Sequence, residues 1–514
     1  MSSISSRLDA ALAALPRTYA GPGGAAAVLK NGEVLLRHAW GYANAERRIA
    51  FTPQSLFRMC SNTKQFACGV LLEEFSDPTA LDDDVRRHLP NLQDAAPGML
   101  HLCHNQSGLR DYWAVAMLHG SPAEAPFGDE EAARVIAGTR TLHFAPGTRY
   151  SYVNQNFRII SDILAERTGR SFAELLRTRI FDRVGMATAH LAADTRAMID
   201  GTEGYEGTVA SGFRAAENRI IWTGDAGMGA SLDDMIAWEK HIDATRDDAG
   251  ALYSRLSAPV TFREGVTAPY GFGLSRGTEF GRPLSGHGGA LRGWRSHRLY
   301  APSERISVVV LFNHLADAHA AALDLLAAAL GEERPAVADR APPAWLGAYA
   351  DPETGLVARA DTAGKGQVRL RYGHSAELLA LDSDGTASNG RTRLSAEGSS
   401  LRMDRPQENF STTLRPLAGV VSRTGLAGRY RCAELDAELT VVDAGGTLYG
   451  GFSGFLGLGR MELLEPAGPD HWMLPCPRAL DHTPPGDWTL AFAPDRASVD
   501  VGCWLARRLR YVRV

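Results

Sequence analysis

Lysine is scarce in this sequence. Of its 514 residues only Lys30, Lys64, Lys240 and Lys365 are lysine, whereas 50 are arginine. Arginine therefore supplies almost all of the positive charge. Because arginine keeps its proton near neutral pH whereas a buried lysine can lose it, a lysine beside a potential nucleophile is a candidate for proton transfer.

Several absences exclude whole classes of protein. The best apolar run, Ala320 to Leu330, is interrupted by Asp324 and is too short to span a bilayer. The N-terminus has no basic stretch followed by an apolar core, so we expect no signal peptide and a cytoplasmic protein. The net charge of −5 gives no basic excess, so we expect no nucleic-acid partner, and without a membrane-spanning run we expect no membrane partner.

The six cysteines form no CxxC pair and have no metal-ligand spacing. We therefore expect free thiols in a reducing compartment and no metal site built on cysteine.

The remaining composition, 45% hydrophobic and 22% charged, is that of a folded globular protein. Its length predicts about three domains. Up to about residue 330 the patterns of strands, then helices, then strands and a helix predict an α+β fold. A polar, proline-rich linker is predicted at 332–343, and short alternating runs follow it.

These alternating runs predict two small antiparallel β-barrels. The segment Leu346-Gly-Ala-Tyr349 recurs as Ala427-Gly-Arg-Tyr430, which supports two copies of one β unit. We therefore expect domains at residues 1–331, 343–418 and 425–514.

The strongest chemical signal is Ser61-Asn-Thr-Lys64, at the start of a helix predicted over residues 61–75. Residues three apart on a helix lie on one face, within hydrogen-bonding reach. The following residues are too apolar for a surface helix, so Lys64 is expected to be partly desolvated and its pKa lowered. An N-cap serine followed by a solvated lysine is the alternative, and the scarcity of lysine argues against it.

Two further motifs lie in segments rich in turn-forming residues. Tyr152-Val-Asn154 precedes a predicted helix, and His287-Gly-Gly289 precedes a predicted strand. Taken singly, Tyr152 is more typical of a half-buried core tyrosine, and His287 of an exposed glycine turn with an incidental histidine. The glycines would let the backbone approach a ligand closely.

Together the motifs occur in a fixed order along the chain. They are Ser61-x-x-Lys64, Tyr152-x-Asn154 and His287-x-Gly289. This order resembles the serine β-lactamase and penicillin-binding superfamily, in particular its class C-like branch, over about residues 15–330. The resemblance implies an antiparallel sheet with flanking helices plus a helical subdomain, with the site between them.

A catalytic domain followed by two small barrels is similar to the bacterial D-aminopeptidases, which release N-terminal D-residues such as D-alanine from peptides and amides. In that family a loop of the last barrel narrows the cleft, and an acidic residue on it receives the free amine. The matching loop here, residues 475–487, makes Asp481 the first candidate and Asp487 the second. A solvated loop aspartate is the alternative. The family also suggests a homodimer.

The resemblance implies a role for each candidate residue and no metal or organic cofactor. The residues are Ser61 as nucleophile, Lys64 and Tyr152 jointly as general base, Asn154 as a ligand of substrate or Lys64, His287 beside Gly289 as a substrate-positioning group, the backbone N–H groups of Ser61 and Ala290 as oxyanion hole, and Asp481 as amine receptor.

His287 stands in place of the lysine of the third motif, as often in the class C-like branch that the sequence resembles. This weakens recognition of a substrate carboxylate, because histidine is largely neutral at pH 7. This argues against D,D-carboxypeptidase and β-lactamase activity. An esterase or D-amino-acid amidase using the same nucleophile remains an alternative, and a non-enzymatic penicillin-recognising sensor is a third.

Overall fold

An antiparallel sheet with helices on both faces forms the first part of the chain. The computed structural model describes residues 3–334 and 337–514, so the predicted linker at 332–343 lies partly outside the described residues. The helices are α1 (Ile4–Thr18), α2 (Thr63–Glu74), α3 (Asp82–His88), α4 (Met99–Cys103), α5 (Tyr112–Leu118), α6 (Asp129–Ala137), α7 (Gln155–Thr168), α8 (Phe172–Leu176), α9 (Asp182–Val184), α10 (Leu232–Thr245), α11 (Leu252–Leu256) and α12 (Ala318–Leu330).

The strands of this part lie mainly at its two ends. They are β1 (Gly23–Lys30), β2 (Glu33–Asn44), β3 (Ile49–Ala50), β4 (Phe57–Arg58), β5 (His190–Leu191), β6 (Tyr205–Thr208), β7 (Gly212–Ala215), β8 (Met228–Ala230), β9 (Val260–Thr261), β10 (Thr267–Ala268), β11 (Tyr270–Gly271), β12 (Leu274–Glu279), β13 (Arg282–Leu291), β14 (Trp294–Ala301) and β15 (Ile306–Phe312).

The main sheet has the strand order β11-β12-β13-β14-β15-β1-β2-β3. Its central strands β1 and β15 are apolar and buried on both faces, as expected for strands covered by helices on each side. The predicted Asn31-Gly32 turn joins β1 to β2 with positive φ at both residues, the geometry of a tight hairpin.

Helices α1 and α12 cover one face of this sheet, and the larger helical layer covers the other. Within that layer every residue of α2 from Thr63 to Leu72 is buried, which explains its continuous apolar pattern. The predicted helix over residues 61–75 is confirmed, with a short 3₁₀ turn at Cys60–Asn62 before it. None of the helices within the described residues is long and apolar enough to cross a membrane.

The C-terminal part is all β. Its strands are β16 (Gly347–Ala350), β17 (Val357–Gly364), β18 (Gln367–Arg371), β19 (Glu377–Leu381), β20 (Ala387–Ser388), β21 (Arg393–Glu397), β22 (Ser400–Arg405), β23 (Phe410–Pro416), β24 (Gly428–Cys432), β25 (Ala437–Asp443), β26 (Leu448–Gly454), β27 (Gly457–Leu458), β28 (Glu462–Leu463), β29 (Glu465–Pro466), β30 (His471–Leu474), β31 (Trp488–Phe492), β32 (Ser498–Cys503) and β33 (Ala506–Arg513).

Strands β16 to β23 form a closed barrel. Strands β24 to β33 form a sheet of order β27-β26-β25-β24-β33-β32-β31-β30-β29, in which the described pairing leaves β27 and β29 at opposite ends. The second unit is therefore a half-barrel. The predicted α+β fold followed by two small β units is confirmed, and the second differs in being open.

The weak sequence repeat corresponds to a repeated structure. Gly347 and Gly428 open the first strand of their units with φ near +153° and +155°. Two residues later, the hydroxyls of Tyr349 and Tyr430 donate to carbonyls four residues upstream, at 2.5 and 2.9 Å. A shared local geometry thus begins both β units.

Candidate active site

Ser61 and Lys64 lie on one face at the start of α2. The Lys64 Nζ atom is 3.0 Å from Ser61 Oγ. The turn before the serine is unusual, because Cys60 has φ +51° and is fully buried. A positive φ in a non-glycine residue is uncommon and requires support from its surroundings.

Lys64 has two further acceptors, both on other segments. Its Nζ donates to Asn154 Oδ1 at 2.9 Å and to the carbonyl of Asp225 at 2.7 Å. Burial lowers the pKa of Lys64 to about 8, against the opposing charges of Asp225 and Asp111. The amine is therefore close to its titration point at neutral pH.

Tyr152 lies beside this pair. The Lys64 Nζ atom is 4.9 Å from the centre of the tyrosine ring. Burial raises the pKa of Tyr152 well above its usual value, and a hydrogen bond with the Ser61 side chain acts in the opposite direction. In the free protein Tyr152 is therefore a neutral phenol that contacts the serine.

His287 lies across the cleft, with its ring centre 6.1 Å from that of Tyr152. Its Nδ1 is 2.5 Å from the Gly288 carbonyl, which can only accept, so Nδ1 carries the proton. Its Nε2 is 3.0 Å from the Tyr270 hydroxyl and accepts from it. Because burial lowers the pKa of His287 to about 3, the ring is neutral.

Gly289 and Ala290 bring the backbone of β13 beside the serine turn. A Cβ atom added at Gly289 would lie 2.4 Å from the Met59 carbonyl and 2.2 Å from Ser296 Oγ. Only glycine permits this approach, which explains the glycine run that the sequence places here.

Asp481 lies on the segment 475–487, which we call the cleft loop. Its side chain is 5% exposed, and its Oδ1 accepts from the Thr483 N–H at 2.9 Å. The adjacent Leu480 is buried in the core of the first part of the chain, so the cleft loop inserts into it.

Burial raises the pKa of Asp481 to about 7, with repulsion from Asp111 adding to the effect and Arg295 opposing it. The charge of Asp481 also acts to raise the pKa of Lys64, after the larger effects of Asp225 and Asp111. The second candidate, Asp487, instead pairs with Arg371 of the barrel at 3.5 Å.

Two aspartates of the site were missed from the sequence. Asp111 is fully buried and accepts from the backbone N–H of Asn154 at 2.7 Å and from its Nδ2 at 3.0 Å. These bonds turn the Asn154 Oδ1 towards Lys64. Asp225 supplies the carbonyl that binds Lys64. Neither residue has a characteristic spacing that would single it out in the sequence.

Within the described residues no group of three or more His, Cys, Asp or Glu side chains could hold a metal ion. All six cysteines are free.

The fold and this cluster define a class of proteins. A β-lactamase family model matches residues 8–333, and a model for domain B of D-aminopeptidase matches residues 338–512. The first match covers more than half of the chain, so the protein is of the β-lactamase-like class.

Curated relatives narrow this class. A D-aminopeptidase of Gluconobacter oxydans is 61% identical over 523 aligned positions, covering 100% of this chain and 99% of its own. A D-aminopeptidase of Brucella canis is 47% identical, covering 99% of this chain and 98% of its own. The chain belongs to the D-aminopeptidase family.

Solved structures share the fold. An octameric penicillin-binding protein homologue from Pyrococcus abyssi matches with a TM-score of 0.55 and 20% identity, over 79% of this chain and 99% of its own. D-amino acid amidase from Ochrobactrum anthropi SV3 matches with a TM-score of 0.52 and 21% identity, over 64% of this chain and 99% of its own. At this identity the likeness concerns the fold alone.

Proposed function

We propose that the protein is a D-aminopeptidase that hydrolyses the amide bond after an N-terminal D-residue, such as D-alanine, through an acyl-enzyme on Ser61. The observation that carries the role of Ser61 is the buried Lys64 amine, 3.0 Å from Ser61 Oγ. Family membership supports the substrate class.

The contacts of Lys64 support its role as a base. An uncharged amine has two N–H donors and one lone pair, whereas the Asn154 Oδ1 and the Asp225 carbonyl only accept. When Lys64 loses a proton, its two N–H groups stay on these oxygens. Its lone pair then faces the Ser61 hydroxyl.

In acylation Ser61 Oγ attacks the substrate carbonyl, and its proton passes to the Lys64–Tyr152 pair. The N–H groups of Ser61 and Ala290 stabilise the oxyanion. Tyr152 delivers a proton to the leaving amine as the amide C–N bond breaks. Water then hydrolyses the ester, and Ser61 regains its proton.

Asp481 receives the substrate's ammonium group. The carboxylate lies on the cleft loop and is almost fully buried, and a buried charge needs a partner of opposite sign. The neutral His287 positions the substrate without attracting a carboxylate. These features favour a substrate charged at its amino end.

The test is a panel of p-nitroanilides of D-alanine, L-alanine and N-acetyl-D-alanine, together with a short-chain p-nitrophenyl ester. We expect cleavage of the free D-alanine anilide and of the ester. Equal hydrolysis of the acetylated anilide would contradict an aminopeptidase and favour an esterase. With D-alaninamide and a D-alanyl dipeptide in the same panel, cleavage of the amide but not of the dipeptide would favour an amidase.

Ser61→Ala should abolish turnover of every substrate while circular dichroism and the melting temperature stay those of the wild type. Anilide cleavage by this variant at the wild-type rate would exclude Ser61 as nucleophile. Acylation by a penicillin without turnover of any panel member would instead favour a sensor.

We further propose that the protein works in the cytoplasm as a homodimer. Five of its six free cysteines are buried, which suits a reducing compartment. Light scattering on the purified protein tests the dimer.

A further inference from the structure

A buried arginine that the proposed mechanism does not use ties the cleft loop to strand β13. Arg292 follows β13 directly and lies in the two-residue turn to β14, because Leu291 pairs with Trp294. Its side chain is completely buried. The residue therefore connects the strand that carries Gly289 and Ala290 with the groups that its guanidinium binds.

The guanidinium of Arg292 donates to two different segments and forms an ion pair with a third. Its Nη2 donates to the carbonyl of Ala479 in the cleft loop at 2.6 Å and to the carbonyl of Ala123 at 2.8 Å. Its Nη1 donates to Glu124 Oε1 at 2.8 Å, and its Nε lies 3.4 Å from Glu206 Oε1. Two carboxylates thus compensate the buried charge.

The cleft loop contributes a second arginine to the same carboxylates. Arg478 Nη2 pairs with Glu124 and lies 3.0 Å from Glu206 Oε2. Arg292, Arg478, Glu124 and Glu206 together form what we call the arginine–glutamate cluster. Because three of its members lie outside the cleft loop in sequence and Arg478 lies on it, the cluster fixes the loop by charge as well as by shape.

The carbonyl of Ala479 also closes the turn that presents Asp481. The His482 N–H donates to it at 3.1 Å, and Asp481 lies inside this turn. On one side of Asp481, Leu480 is buried in the core, and on the other the Thr483 N–H binds its carboxylate. A displacement of the Ala479 carbonyl would therefore displace the carboxylate.

We propose that Arg292 is a positioning residue for amine selectivity. By holding the Ala479 carbonyl, it keeps the Asp481 carboxylate at the distance from Ser61 that a free N-terminal amine requires. This inference rests on the proposed D-aminopeptidase function. Arg292 acts through Asp481 and does not touch the substrate.

The experiment compares Arg292→Gln with the wild type on the free and the N-acetylated D-alanine anilide and on the ester. We expect the ratio of kcat/KM for free over acetylated anilide to fall by about tenfold or more, mainly through KM for the free amine. Ester hydrolysis should stay within about twofold, since it does not need Asp481. The matched control is Arg179→Gln, which removes an arginine paired with Glu74 away from the cleft loop and should keep the wild-type ratio.

Glu206→Gln keeps the shape of the cluster and removes one charge, so it provides the test if Arg292→Gln does not fold. It should lower the same ratio. Adding Arg292→Gln to Asp481→Ala should change the ratio no further, because both act through one carboxylate.

If both Arg292→Gln and Glu206→Gln keep the wild-type ratio of kcat/KM for free over acetylated anilide, the proposal is wrong. An equal loss on all three substrates would also overturn it, since Arg292 would then support the serine apparatus or the fold. If the wild type does not cleave free D-alanine anilide, the proposed function fails first, and the two failures are distinguishable.

Discussion

At the scale of single residues, Lys64 and Asp481 both have pKa values displaced towards neutrality, and burial is the largest cause in each case. The shifts have opposite signs because burial disfavours the charged form of each group. Asp481 with a pKa of about 7 and Lys64 with a pKa of about 8 both need to lose a proton for the proposed roles.

These shifts predict a bell-shaped pH profile of kcat/KM for the free D-alanine anilide. Activity should rise as the pH passes about 7 and 8, where Asp481 and then Lys64 lose their protons. It should fall once the substrate amine, with an ordinary pKa of about 8, loses its charge. Initial rates over a pH series measure both limbs.

The ester, which lacks an amine, separates the two groups. Its profile should show only the rise that belongs to Lys64, without a fall at higher pH. Asp481→Asn should remove the lower rise from the anilide profile and leave the ester with a single rise, moved to lower pH because Asp481 no longer raises the pKa of Lys64. Identical profiles for anilide and ester would contradict the assignment of Asp481.

At the scale of elements, strand β13 and the turn before α2 are packed with almost no space between them. Gly289 lies against the Met59 carbonyl and Ser296, and Asn62 Nδ2 donates to Ser296 Oγ at 2.9 Å. The position of the β13 backbone relative to Ser61 therefore depends on residue 289 being a glycine, which has no side chain.

Gly289→Ala should force β13 away from the serine turn, because the nearest atom that its Cβ meets on that side belongs to the backbone. We expect a stability loss of about 1–3 kcal/mol from overpacking and a larger fall in kcat than in binding. Gly277→Ala on the neighbouring strand β12 is the matched control, since a Cβ there meets nothing within 4 Å. Urea unfolding and steady-state kinetics measure both effects, and equal behaviour of the two variants would contradict the argument.

At the scale of elements, the sequence predicts well those features that depend on residues close together in the chain. The helix at Ser61 and the Asn31-Gly32 hairpin follow from apolar pattern and turn chemistry within a few residues. Ser61, Lys64 and Asn154 were found because their motifs are short, and the structure brings them into direct contact. Their chemical roles stay predictions.

What the sequence does not predict depends on distant contacts. Asp111 matters through bonds to Asn154 and through its own N–H, which donates to the Leu505 carbonyl at 2.9 Å. Arg292 is one of 50 arginines until the fold places Ala479 against it. The open half-barrel likewise depends on which strand ends meet, and no local pattern encodes that.

At the scale of the whole molecule, the three parts share their cores. Leu480 of the cleft loop belongs to the core of the first part, and Ala114 and Leu118 of α5 belong to that of the half-barrel. Trp504, in the turn between β32 and β33, belongs to the core of the closed barrel. Each part therefore depends on side chains from another.

Trp504 joins the half-barrel to the closed barrel. Its backbone N–H donates to the Gly373 carbonyl of the barrel at 2.7 Å. Its indole ring packs against Tyr372, and the Arg507 guanidinium lies 3.5 Å from the centre of the indole ring. The next residue, Leu505, supplies the carbonyl that binds Asp111. The half-barrel thereby supports the residue that orients Asn154 towards Lys64.

Trp504→Ala should therefore weaken the active site and both β units together. Truncating a buried tryptophan costs about 3–5 kcal/mol. The lost contacts belong to shared cores, so we expect one cooperative transition at a lower temperature than in the wild type. The calorimetric peak, the loss of the circular dichroism signal and the loss of ester hydrolysis should then coincide. Leu458→Ala, at a side chain that is 81% exposed, is the control and should change stability by less than about 0.5 kcal/mol.

If Trp504→Ala instead gives an early transition of the β units while hydrolysis persists to the wild-type temperature, the first part folds independently. The contact from Leu505 to Asp111 would then have no part in holding Asn154 against Lys64.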